Sequence, residues 1–264
     1  MDASRRRALS LPPLTANAVR QARALPTPPR LDLALRRDFV TVVAELKRAS
    51  PSKGEINASL SATERAAAYE SGGAAGLSVI TEPTRFGGLN SDVTSARSAS
   101  ALPILRKDFH VDAGQLVEAR HLGASAALVI VRAVSPSKLE ELAAVAREIG
   151  LEIVFEVRDE AELELALAAG ARIVGVNNRN LETLVVDEQT VNRILPLVPD
   201  DRIAIAESGY STTEQVQRAA DAGADAVLVG SALSFATNAS AVVTSLSRAR
   251  RVSRTRFNQS VPPR

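Results

Sequence analysis

The chain has no cysteine, only two histidines, no apolar run of membrane-spanning length and no GxGxxG turn after its first strand. The missing cysteine excludes a disulfide framework, thiolate zinc sites and a cysteine nucleophile. His110 and His121 are too few for a histidine metal centre and read as ordinary core or surface residues, so no metal is expected. No stretch approaches the roughly 20 apolar residues that cross a bilayer, and Arg5, Arg6 and Arg7 are not followed by the apolar segment of a secretory leader. A soluble, cytoplasmic protein is expected. The absent glycine-rich turn argues against a two-domain dinucleotide-binding chain.

What is present fits one full core: 264 residues, 45% hydrophobic, the usual size of a single α/β barrel. The net charge of +2 divides unevenly along the chain. Residues 1–37 hold eight Arg against Asp2 and Asp32, residues 245–264 hold six Arg and no acid, and the body between carries about −10. A nucleic-acid-binding protein would set its basic residues on a folded face. Here they lie on Pro-rich ends (LPPL, PTPPR, SVPPR), which are expected to be solvated, mobile or loosely docked. The expected organisation is a basic Pro-rich extension over 1–37, a catalytic unit over 38–250 and a basic, mobile tail over 251–264.

Between those ends, strand and helix alternate eight times. The first strand, in TVVAELKRASPSKG, is followed by GLSVIT, PILR, ASAALVIV, LEIVFEV, RIVGVNN, RIAIAES and ADAVLVG, each a near-continuous Val/Ile/Leu/Ala run of the kind that is covered on both faces. Helix starts are marked by Ser61 with Glu64, Asp112 with Gln115, Ser135 with Pro136, Asp159 with Glu162, Ser211 with Glu214, and Asn238. Gly73, Gly123, Gly170 and Gly223 recur about 50 residues apart, just before alternate strands, a spacing of two βα units per repeat. The pattern predicts a single (β/α)8 TIM barrel of the α/β class.

Barrel chemistry sits at the C-terminal strand ends. Those ends supply Glu45 and Lys47, Lys107, Glu156, Asn177 and Arg179, Glu207 and Ser208, and Gly230 with Ser231. Glu45 and Lys47 are two apart and face one way on a strand, where buried charge is costly unless paired or held for a ligand. A structural ion pair explains one such couple. Two lysines and three glutamates at the odd strand ends fit acid–base catalysis better. The two lysines, facing one mouth, are expected to lower each other's pKa, with the carboxylates opposing. After strands 7 and 8, Gly209, Gly230 and Ser231 let backbone N–H groups approach an anion, the usual phosphate position in such barrels.

The segments AELKRASPSKG, SVITE with FGG, PILRKDF, EAR with HLGASAALVIV, FEV, GVNNRNLET, IAESG and LVGSAL resemble, in order and spacing over roughly residues 38–245, the indole-3-glycerol-phosphate synthases of tryptophan biosynthesis. The resemblance implies a carboxy-lyase without metal or organic cofactor. It closes the ring of 1-(2-carboxyphenylamino)-1-deoxyribulose 5-phosphate, with loss of carbon dioxide and water. It also implies that Lys107 is the general acid, Lys47 the second amine, Glu156 the acid–base group of the dehydration and Glu45 the carboxylate that pairs with the lysines. Asn177 and Ser208 complete the catalytic set. Arg179 with Asn177 would hold the anthranilate part, Ser50, Gly209, Gly230 and Ser231 the phosphate, and Phe86, Phe109, Leu128 and Leu181 the ring, with Glu207 as a further substrate contact. The implied partner is a phosphorylated small molecule, with no nucleic acid and no membrane, on a monomer or weak homodimer.

The chain departs from the family pattern at Arg85, where a second aromatic is common, at Leu89 for a serine, at Gly114 for a larger residue and at Asn180 for an aspartate. Its first 37 residues do not look like the family's N-terminal helix, which packs beside the active site. A diverged paralogue in a specialised pathway would suit these changes. Another phosphate-binding barrel isomerase would use an Asp pair or a Cys/Asp pair where this chain has Lys and Glu. A non-catalytic barrel with basic interaction tails would have no need of the buried charges.

Overall fold

The structure, a computed structural model, describes residues 2–50, 54–56 and 61–254. Eight parallel strands close into a barrel, as expected. They are β1 Thr41–Leu46, β2 Gly76–Ile80, β3 Ile104–Lys107, β4 Ala126–Ile130, β5 Glu152–Val157, β6 Ile173–Asn177, β7 Ile203–Glu207 and β8 Ala226–Val229. Each pairs with the next, and β8 pairs with β1. Side chains alternate across the barrel wall. Val43, Leu105, Leu128, Val154, Ile205 and Leu228 point inward and pack together. Two residues further along their strands come Glu45, Lys107, Ile130, Glu156, Glu207 and Gly230, so a mostly polar layer rests on an apolar plug.

The helix starts follow the side-chain chemistry read from the sequence. Ser61, Asp112, Ser135, Asp159 and Asn238 each accept a backbone N–H at a helix N-terminus. One start differs by a residue: Thr212, not Ser211, caps Thr213–Asp221, and Gln215 answers the cap instead of Glu214, because its amide oxygen gathers the N–H groups of both Ser211 and Thr212. Gly73, Gly123, Gly170 and Gly223 all have φ between 84° and 98°, the left-handed turn that ends a helix.

The N-terminal extension is a folded strap. Helix Asp2–Ser10 lies at the catalytic mouth, where Arg7 pairs with Asp108. Helix Ala16–Ala24, capped by Thr15, packs on helices Ala113–His121 and Pro136–Ile149. Arg120 then donates to the carbonyls of Leu25 and Pro26. Fully buried Leu31 and Leu35 close the barrel's lower end. The first helix of this extension is therefore docked, anchored by charge and not by an apolar stripe. At the other end, Arg254 is fully buried: its guanidinium pairs with Asp225 at 2.9 Å and donates to the carbonyls of Val198, Pro199, Gly223 and Arg202. Of the expected mobile tail, residues 251–254 include this docked arginine, and residues 255–264 lie outside the described residues.

Candidate active site

Lys107 ends β3 and points into the barrel. Its Nζ lies 3.2 Å from Glu45 Oε2 and 3.4 Å from Glu207 Oε2. The other oxygen of Glu45 is 3.2 Å from Lys47 Nζ, which also donates to Ser231 Oγ at 3.1 Å. Two glycines give this cluster its room. A Cβ on Gly230 would collide with the Glu45 carboxylate and the Lys47 amine, and a Cβ on Gly175 would collide with the Glu207 carboxylate.

The charges divide the three glutamates. Burial pushes Glu45 up, yet Lys107 and Lys47 outweigh it and hold Glu45 down at about 2. Burial dominates at Glu207, pushing it up to about 7; Glu156 adds to the rise and Lys107 opposes it. Glu156 is also raised by burial, against Lys107 and a hydrogen bond from Asn177. For Lys107 the expectation from sequence is overturned. Burial lowers its pKa, but the carboxylates of Glu45, Glu207 and Glu156 surround the ammonium and raise it. The nearby carboxylates, Glu45 first, outweigh burial, so the ligand-free site holds a firmly protonated lysine.

Above this floor opens a cavity of about 500 Å³. Glu45, Lys47, Lys107, Glu156 and Asn177 reach it from below. Ser208, Gly209, Gly230 and Ser231 border it after β7 and β8, while Phe86, Phe109, Leu128 and Leu181 supply apolar wall. Ser50 and Arg179 also line it, and the Ser50 hydroxyl is buried without a partner among the described residues. Glu207 is the sequence-selected residue that does not: it is fully buried beneath Lys107 and faces that amine instead of the cavity. Its place is behind the floor, beside the Lys107 amine.

The loops are held by their own side chains. Ser208 and Gly209 both adopt left-handed conformations, at φ 70° and 99°, and Asn178 donates to the Ser208 carbonyl at 3.2 Å. Arg179 lines the cavity while donating to the Leu184 carbonyl at 2.8 Å. The Asn180 side-chain oxygen accepts from the N–H groups of Glu182 and Thr183 and so turns the loop after β6. His110 is a core residue, as expected. Its Nδ1 lies 2.8 Å from the Leu128 carbonyl oxygen, and burial pushes it down to about 4.

Sequence reasoning missed Glu82, Asp108, Leu184, Tyr210 and Phe235, which also line the cavity. Glu82 had a signal, since it follows β2 directly and precedes Pro83; its carboxylate caps the short helix Pro83–Phe86. The others lie in loops whose sequence carries no periodic pattern. Among the described residues, no cluster of three or more His, Cys, Asp or Glu stands where it could hold a metal ion, and no helix is long and apolar enough to cross a membrane.

Fold and site together define a (β/α)8 barrel with a buried lysine–glutamate cluster at its C-terminal face. A profile of the indole-3-glycerol phosphate synthase family matches residues 4–246, and the chain belongs to that family. It is 50% identical over 193 residues to an indole-3-glycerol phosphate synthase of Nocardioides sp., covering 73% of this chain and 74% of the relative. It is 48% identical over 200 residues to that of Streptomyces griseus, covering 76% and 74%. Among solved structures it is similar in fold to 3-hexulose-6-phosphate synthase from Salmonella typhimurium, with a TM-score of 0.64 at 16% identity over 79% of this chain and 97% of that one.

Proposed function

We propose that this cavity closes an indole ring. 1-(2-Carboxyphenylamino)-1-deoxyribulose 5-phosphate enters, and indole-3-glycerol phosphate, carbon dioxide and water leave. The observation that carries the reading is the Lys107 ammonium, held between Glu45 and Glu207 at the floor of a cavity with an apolar wall and glycine–serine loops.

The ring carbon bearing the carboxylate attacks the ribulose ketone, and a C–C bond forms as Lys107 gives its proton to the ketone oxygen. The carboxylate then leaves as carbon dioxide, and its bonding pair restores the aromatic ring. In the last step Glu156, which burial inclines toward its acid form, gives its proton to the new hydroxyl, which departs as water, and the resulting carboxylate takes the proton lost by the neighbouring carbon. Lys47 engages the substrate carboxylate and the Asn177–Glu156 hydrogen bond orients the base. Gly209, Gly230, Ser231 and Ser50 take the phosphate, and Phe86, Phe109, Leu128 and Leu181 hold the ring. Fixing both ends of a flexible substrate supplies the proximity that ring closure needs.

The test is a fluorescence assay for indole-3-glycerol phosphate with purified protein and EDTA. The wild type should turn over. Lys107→Met should abolish turnover while still binding the reduced, unreactive substrate analogue by calorimetry. Near-normal turnover of Lys107→Met would remove the assignment of the acid.

A further inference from the structure

Lys107 stands between two charged residues, Arg106 and Asp108, both of which are buried. Strand alternation sends Lys107 into the barrel and Arg106 to the outer side, while Asp108, just past the end of β3, lies at the cavity's border. There the Asp108 carboxylate is tied on several sides. Arg7 of helix Asp2–Ser10 grips it through both guanidinium nitrogens, at 2.9 and 2.6 Å. The Thr81 hydroxyl donates to it at 2.9 Å and the Phe109 N–H at 2.8 Å. Its other nearby cation, Arg106, is 3.8 Å away and already engaged with Glu118 at 2.7 Å and Asn90 at 2.9 Å. His110 is the remaining titratable group beside Asp108, and burial keeps it neutral. Arg7 is therefore the main counterion of a buried carboxylate that adjoins the general acid in the chain.

A second contact from the same helix reaches the next residue. The Ser4 hydroxyl donates to the Phe109 carbonyl, and Gln115 donates to Ser4 at 3.3 Å. The strap also meets the helix beyond. At Gly114 a Cβ would stand 3.6 Å from Leu11, in ordinary contact, so the strap runs directly over the start of this helix.

We propose that Arg7 is a positioning residue for the general acid: through its paired contact with Asp108, the N-terminal helix fixes the end of β3, and with it the Lys107 amine, against Glu45. The inference rests on the proposed function for the identity of the acid. A bidentate guanidinium–carboxylate pair at a partly buried site fixes geometry as well as charge. A displacement of about 1 Å at a catalytic group costs on the order of a hundredfold in rate.

The experiment compares wild type, Arg7→Ala, Arg7→Lys and Leu9→Ala in the full-length chain; Leu9 is a control on the same helix, 86% exposed. Steady-state kinetics and hydrogen–deuterium exchange of the peptide spanning residues 104–112 are read side by side. Arg7→Ala should lower kcat by about tenfold to a hundredfold while changing KM little, and should speed exchange in that peptide. Arg7→Lys should recover part of kcat, and Leu9→Ala should match wild type. Wild-type kcat in Arg7→Ala, or unchanged exchange, would overturn the proposal, as would an equal loss in Leu9→Ala. If the wild type itself does not turn over, the proposed function fails. Exchange then decides the clamp alone: faster exchange in Arg7→Ala supports it and unchanged exchange removes it.

Discussion

Replacing Glu207 by Gln should stabilise the fold above neutral pH and leave it nearly unchanged in mild acid. Glu207 is fully buried, neither carboxylate oxygen has a hydrogen-bond partner among the described residues, and its ion pair with Lys107 is long at 3.4 Å. Burial lifts the carboxyl from an ordinary 4.5 to about 7. Below the lower value both folded and unfolded chains hold the proton, and the favourable contribution is complete. Between the two values the unfolded chain releases its proton while the folded chain keeps it, so stability falls as pH rises and levels off above the higher value. At about 1.4 kcal/mol per pH unit, that interval corresponds to about 3 kcal/mol.

Gln does not titrate, fills nearly the same space and leaves Lys107 paired with Glu45. Glu152 is also raised by burial, to about 7, but it is present in both proteins and cancels in the comparison. Urea unfolding of wild type and Glu207→Gln at half-unit steps from pH 5 to pH 8.5 should show the variant gaining on the wild type as pH rises, by up to about 3 kcal/mol at the top of the range. A difference between the two proteins that stays constant across the range, or grows toward acid, would refute the reasoning, because it would mean that Glu207 is ionised at all these pH values. Turnover in the same variant should fall, since the ammonium loses one of its two carboxylate contacts.

Leu89→Ser should raise the melting temperature by about 2–4 °C: Leu89 is the N-cap of helix Asn90–Ala99, has no side-chain hydrogen bond to offer and is 48% exposed, so a hydroxyl acceptor there contributes about 1 kcal/mol with little apolar burial lost. Gly230→Ala should lower kcat at least tenfold and cost about 1–3 kcal/mol by urea unfolding. Its φ of −120° suits any residue, and the penalty comes from the methyl meeting Glu45 and Lys47. Wild-type kcat in Gly230→Ala would show that the Glu45–Lys47 pair tolerates displacement.

Much of this architecture is legible without coordinates because it rests on local rules. Eight apolar strands separated by capped helices dictate parallel pairing, and pairing then brings residues from distant positions, such as Glu45, Lys107 and Glu156, to one floor. The rest depends on distances that spacing does not contain. Whether Lys107 is raised or lowered turns on how many carboxylates lie nearer to it than the second amine. Glu207 has the strand-end position of a substrate contact, yet one layer of depth leaves it behind Lys107. Helix Asp2–Ser10 carries Arg5, Arg6 and Arg7 with no clear apolar face, and its docking comes from a bidentate pair between residues 101 apart. Arg254 escapes for the same reason: a basic residue in a low-complexity end is buried by carbonyls and an aspartate that only the fold assembles. Hydrophobic periodicity has no means of registering either contact.

The three glutamates have one chemistry and three proton affinities, and the difference follows from their cations. Glu45 touches two ammonium groups and is held at about 2, a fixed negative charge that keeps both lysines in place. Glu207 touches one, at longer range, and rises to about 7. Glu156 makes no ion pair among the described residues, and there burial outweighs the more distant charge of Lys107 and the Asn177 amide, which work against it. A general base must hold a proton loosely enough to pass it on, so the carboxylate best suited to the role is one that burial has raised and no cation has pinned. Glu156 meets that condition and borders the cavity, whereas Glu207 meets only the first part and faces the Lys107 amine. The proposed assignment of the base to Glu156 rather than to either of its neighbours therefore follows from the lysines: where they sit decides which carboxylates touch an ammonium and which one does not.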